Sequence, residues 1–97
     1  MGPEATVERY FKKQAEKHDF LCYKFVSPAN DGVPDRIIIG HGHTIFVELK
    51  APGEVPRKLQ LRVMEKIKKH GGECYVIDTK DKVDALFNKI LGKDTDE

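Results

Sequence analysis

Tryptophan is absent, cysteine occurs only twice, and no apolar run approaches the roughly 20 residues a membrane-spanning helix needs. The missing run excludes a helical membrane protein, and the N-terminus has no apolar signal core, so a soluble intracellular protein is expected. Two cysteines cannot make a disulfide framework. Cys22 and Cys74 both fall in strand-like runs, where small buried thiols are common, and both should be reduced and structural. An excess of one charge is also missing: the net charge is only +1, which argues against nucleic-acid binding through a uniformly basic surface. Repeats and low-complexity stretches are absent too. What remains is ordinary for a folded chain, with 39% hydrophobic and 34% charged residues in 97 positions. That is enough for one domain over 1–97 with a modest core and a mobile tail at about 93–97.

The order of elements follows from periodicity and breakers. From Val7 the positions Val7, Tyr10, Phe11, Ala15 and His18 keep helical spacing, with Thr6 available as N-cap. Leu21 to Val26 alternates and is rich in strand formers, and Ser27-Pro28-Ala29-Asn30-Asp31-Gly32 has loop composition. Two strand-like runs, Arg36 to Gly40 and Thr44 to Val47, flank a Gly-His-Gly-His turn. Ala51 to Pro56 breaks regular structure before a helix with Leu59, Val63 and Ile67 on one stripe, ended by Gly71-Gly72. Cys74 to Ile77 suits a buried strand. Val83, Leu86, Phe87, Ile90 and Leu91 give a last helix its inner face. The chain is therefore α/β in the order αβββαβα, and the helical connection from Lys50 to Cys74 should set the fourth strand parallel to the third by a right-handed crossover.

The hairpin carries the chemistry. Centring its turn on His41-Gly42, where Gly42 can supply a positive φ, pairs residues whose numbers sum to 83. Asp35 then faces Glu48 on one side of the sheet, at a Cβ separation of about 5 Å. Lys50 follows Glu48 by two and points the same way. Like charges opposed so closely repel unless a cation sits between them, and two hard oxygen ligands plus waters suit Mg²⁺, with Mn²⁺ as substitute. His41 and His43 lack the ligand spacing of a zinc site. Charge is distributed to match: Arg57, Lys58, Arg62, Lys66, Lys68 and Lys69 face Glu65 alone between Arg57 and His70, while the segment from Asp78 to Glu97 has six acids and four bases. Arg57, Lys58, Arg62 and Lys66 are candidate phosphate contacts beside an acidic pocket.

Pro34-Asp35 followed by Glu48-Leu49-Lys50 resembles the PD-(D/E)XK nuclease signature in order and spacing. Gly32-Val33-Pro34-Asp35, Val47-Glu48-Leu49-Lys50, Ala51-Pro52-Gly53 and then Gln60 on the following helix resemble its VRR-NUC branch, the virus-type replication-repair nuclease module, over about residues 4–78. The resemblance implies a restriction-endonuclease-like core, a central mixed four-stranded sheet flanked by helices. It further implies metal ligation by Asp35, Glu48 and the backbone carbonyl of Leu49, with an acidic residue of the first helix joining through water. Glu8, which borders the buried stripe of that helix, is the position for this role, and Glu4 is the backup. Lys50 would activate the attacking water and steady the phosphate. Gln60 would lie near the scissile phosphate or the lysine.

The expected activity is metal-dependent endonucleolytic hydrolysis of DNA. The resemblance to stand-alone members of the family implies a homodimeric Holliday-junction resolvase, since a two-fold dimer presents matched sites to a four-way substrate. Its rivals are a flap, splayed-arm or nicking nuclease, and a non-catalytic nucleic-acid-binding module of the same fold. The family name hints at a phage or mobile element as host.

Overall fold

A computed structural model describes residues 2–92, so the tail expected to be mobile lies outside the described residues. The elements follow the expected order: α1 (Pro3–Lys17), β1 (Leu21–Lys24), β2 (Arg36–Gly40), β3 (His43–Leu49), α2 (Lys58–Lys69), β4 (Glu73–Ile77) and α3 (Lys80–Ile90). The four strands form one mixed sheet in the order β1-β2-β3-β4, antiparallel except for the parallel β3–β4 pair. No helix among the described residues is long and apolar enough to cross a membrane.

The hairpin register is the one the turn predicts. Arg36 pairs with Val47, Ile37 with Phe46 and Ile38 with Ile45. The turn takes positive φ at two residues, His41 at 51° and Gly42 at 82°, as a tight two-residue hairpin turn matched to strand twist requires. Histidine tolerates that region better than most side chains, and His41 Nε2 lies 2.8 Å from the carbonyl oxygen of His18.

Strand parity divides the sheet into two unlike faces. One face presents Ile38, Ile45, Val47, Leu49 and Ile77 to Val7, Phe11 and Ala15 of α1 and to Val83, Leu86 and Phe87 of α3; this is the hydrophobic core. The other face presents Asp35, Glu48 and Lys50 at one end, and α2 covers only part of it.

Three local expectations need correction. Helix α1 starts at Pro3 with Gly2 as N-cap, so Thr6 lies inside the helix. Proline fits the first helical turn because its missing N–H would have had no intrahelical partner. Strand β1 ends at Lys24 rather than Val26, although the N–H of Phe25 still donates to the carbonyl oxygen of Asp35 at 2.9 Å. In α2 the buried residues are Gln60 and Met64, while Leu59 is exposed. The expected stripe of Leu59, Val63 and Ile67 is thus rotated by about one residue, because a polar side chain takes the inward position.

Candidate metal and catalytic site

At the open end of the hairpin the chain passes from the Ser27–Gly32 loop into β2 through Pro34, which is fully buried. Gly32 sits there at φ +88°, and a Cβ on it would meet Leu59 Cγ at 2.9 Å and the Leu59 carbonyl oxygen at 3.2 Å. The loop therefore lies directly against the first turn of α2, and that close approach brings Asp35 and α2 to the same end of the sheet.

Asp35 is half-buried, and its Oδ1 accepts the backbone N–H of Leu49 at 3.1 Å across the hairpin. Glu48 is only 4% exposed. Its Oε2 accepts from Gln60 Nε2 at 2.7 Å and meets Lys50 Nζ at 3.2 Å. Both donors converge on one oxygen.

Burial pushes the Asp35 carboxyl above its ordinary pKa. Burial, and then the negative charge of Asp35, does the same to Glu48, against the pull of Lys50. Two desolvated carboxylates, one of which raises the proton affinity of the other, make a site that favours a cation.

Gln60 is 7% exposed and is held at both ends of its amide. Its Oε1 accepts the backbone N–H of Arg57 at 2.8 Å, satisfying a free donor at the start of α2, while its Nε2 serves Glu48. One side chain thus caps the helix and orients the carboxylate. Of the two expected neighbours, the phosphate and the lysine, Gln60 shares the Glu48 Oε2 acceptor with Lys50.

Lys50 is fixed as well. Its backbone N–H donates to the carbonyl oxygen of Ile77 at 2.9 Å, prolonging the β3–β4 ladder by one residue. The turn that follows is tied by the N–H of Gly53 to Asp78 Oδ2 at 2.9 Å, and Lys82 Nζ meets Oδ1 of the same carboxylate at 2.8 Å. The hydrogen bond from Lys82 is the main reason the Asp78 carboxyl sits below its ordinary range.

Glu8, the α1 residue expected to join the site through water, is held by Arg36. Its Oε2 pairs with Arg36 Nη2 at 2.9 Å, and the hydrogen bond from Arg36 holds its pKa below the usual glutamate range. Glu8 remains near enough for its charge to raise the pKa of Asp35. Glu4 is exposed in the first turn of α1. Among the described residues, no three His, Cys, Asp or Glu side chains converge tightly enough to hold a metal ion.

Arg57, Lys58, Arg62 and Lys66 are all exposed around α2, with Lys58, Arg62 and Lys66 at successive four-residue steps along one face. Lys66 also borders an open cleft of about 420 Å³ formed with Ser27, Asn30, Val33 and Leu59. Both cysteines are free. Burial pushes the Cys74 thiol up to about 11, so it stays protonated and unreactive. His43 Nδ1 lies 2.9 Å from Glu73 Oε1, away from His41, so the two histidines share no site.

Arg36 and Asp78 are absent from the residues singled out above by sequence. Arg36 carries a readable signal: parity puts it on the core-facing side with Ile38, where an arginine requires an acidic partner. Asp78 carries none, because its role depends on where the turn after Lys50 comes to rest.

A mixed sheet with Asp, Glu and Lys gathered at one end, under a helix that contributes a glutamine, is the arrangement of PD-(D/E)XK nuclease cores. "Putative nuclease p44" of Acyrthosiphon pisum secondary endosymbiont phage 1 is 40% identical over 79 residues, spanning 80% of this chain and 85% of that protein. A solved VRR_NUC domain superposes with a TM-score of 0.84 at 29% identity, over 91% of this chain and 97% of that one. No protein-family model matches the chain. The chain belongs to the VRR-NUC family of nucleases.

Proposed function

We propose that this protein is a metal-dependent, structure-selective DNA endonuclease that cuts four-way junctions as a homodimer. The observation that carries the reading is the Asp35–Glu48 pair: two desolvated carboxylates, both with raised pKa, with one oxygen of Glu48 immobilised by Gln60 and Lys50.

The donor set fits Mg²⁺ or Mn²⁺. It is all oxygen, with neither histidine nor thiolate to favour zinc. Only two carboxylates approach one another, which suits an ion that keeps several waters and takes its remaining ligands from phosphate. Asp35, Glu48 and the Leu49 carbonyl would hold the ion, and Glu8 would join through water. When bound, it would polarise the phosphate and lower the pKa of the attacking water.

The chain's own groups supply the rest. The Lys50 ammonium, partly buried beside Glu48, would orient the attacking water and offset the negative charge that grows on the phosphate oxygens. Gln60 keeps Glu48 from rotating away, so little reorganisation is needed as the reaction proceeds. The exposed basic row of α2 would hold the DNA strand by its phosphates without reading its bases.

Support for a dimer comes from the part of the sheet that α2 leaves uncovered. Leu21, Tyr23 and Ile39 are exposed there, with Leu21 opposite Ile39 and Tyr23 opposite Ile37 on the face that carries Asp35. Such an apolar patch is what an interface between copies would bury.

The test compares labelled four-way junction, flap, splayed-arm and linear duplex DNA of matched sequence. Paired symmetric nicks in the junction, at a rate well above that of the other substrates, are expected. Preferential cutting of the flap would replace the junction assignment, and binding without cutting in Mg²⁺ or Mn²⁺ would leave a non-catalytic module.

A further inference from the structure

Arg36 stands outside the machinery described so far, yet it is the most deeply buried charged side chain of the described residues, 3% exposed at the start of β2. It follows Asp35 directly, so the two side chains leave the strand on opposite faces. Its guanidinium enters the α1 side of the sheet and pairs with Glu8 through Nη2, while its Nε is buried with no acceptor. An arginine with an unused buried donor is a poor device for docking a helix, because a well-packed apolar pair would do so at least as well. Buried polar atoms left without partners point to another role. The positive charge of Arg36 reaches both carboxyl groups, lowering the pKa of Glu8 and opposing the upward shift of Asp35.

We propose that Arg36 is a positioning residue for the cation site. By holding Oε2 of Glu8 it fixes the α1 carboxylate close to Asp35 and leaves the second oxygen to accept a hydrogen bond from the water around the divalent ion. Glu8 is 31% exposed and would otherwise sample several rotamers. Arg36 removes that freedom, as outer partners of metal-bound groups do elsewhere, where their loss weakens metal binding by roughly 10- to 100-fold. The inference rests on the proposed divalent-cation site.

The experiment measures Mn²⁺ affinity of the DNA-free protein by isothermal titration calorimetry, alongside thermal melting, for wild type, Glu8→Gln, Arg36→Met, Arg36→Lys, Glu8→Gln/Arg36→Met and Asp35→Ala. Weakening by about 10-fold is expected for Glu8→Gln and for Arg36→Met, with the double variant no weaker than the worse single one, because both act through one oxygen pair. Arg36→Lys keeps the charge without the planar fork and should recover only part of the affinity. If Arg36→Met does not fold, Arg36→Lys and Glu8→Gln decide the matter: wild-type affinity in both overturns the proposal. So does wild-type affinity in a folded Arg36→Met. Loss of binding in Asp35→Ala with unchanged binding in the Arg36 and Glu8 variants removes the positioning role alone. Absence of Mn²⁺ binding in wild type removes the cation site and this inference together.

Discussion

Asp35 and Glu48 are both pushed above the ordinary carboxylate range, Asp35 by burial and Glu48 by burial and then by its neighbour. A carboxyl group whose pKa is higher in the folded chain binds its proton more tightly there. Its contribution to stability is therefore present below the unfolded value and is lost as pH rises through the folded value. In EDTA at pH 7, Asp35→Asn should thus melt at a higher temperature than wild type. The gain should fade once pH falls below about 3.9, the unperturbed aspartate value. A melting temperature at pH 7 equal to or below that of wild type would contradict the assignment of strain to this pair. Gln60 makes the opposite case. Gln60→Leu keeps the volume but strands the Arg57 N–H and takes a donor from Glu48, and should lower stability by about 1–3 kcal/mol, read from the urea midpoint at unchanged slope.

At the scale of elements, α2 shows what hydrophobic periodicity can and cannot see. Its existence and length were legible from Leu59, Val63 and Ile67, but its rotation was not, because counting apolar positions gives no weight to a buried glutamine. The Gln60–Glu48 hydrogen bond turns Met64 inward and leaves Leu59 against the Gly32 loop. Helix α1 was legible by its stripe of Val7, Phe11 and Ala15, whereas its start was hidden because Pro3 looks like a breaker until its position in the first turn is known. The contact between the Gly32 loop and α2 is testable. Gly32→Ala adds a Cβ where φ is +88° and where Leu59 Cγ lies 2.9 Å away. It should destabilise the fold by about 1–3 kcal/mol and lower cleavage further by displacing Asp35 from α2. A variant with wild-type melting and rate would show the loop to be free of the helix.

For the molecule as a whole, the hairpin register and the parallel β3–β4 pair were the most legible features, since the first follows from a two-residue turn and strand parity and the second from a helical crossover, which leave few alternatives. Arg36 escaped because a charge inside an apolar run draws no notice until the face it occupies is asked for. The uncovered sheet face has its consequence at this scale. Tyr23→Lys puts a charge into the patch formed with Leu21 and Ile39, and light scattering at micromolar concentration should change from dimer to monomer while the fold is kept. An unchanged dimer would move the interface elsewhere, and a monomeric wild type would remove it.

The central claim is that Asp35 and Glu48 hold a divalent ion that drives phosphodiester hydrolysis. The most direct measurement is cleavage of a labelled four-way junction by wild type and Asp35→Asn, each in Mg²⁺ and in EDTA, with junction binding followed in parallel. The account predicts paired nicks by wild type in Mg²⁺ alone, and an Asp35→Asn protein that is folded, binds the junction and does not cut. Cutting by Asp35→Asn at the wild-type rate, or by wild type in EDTA, would contradict it.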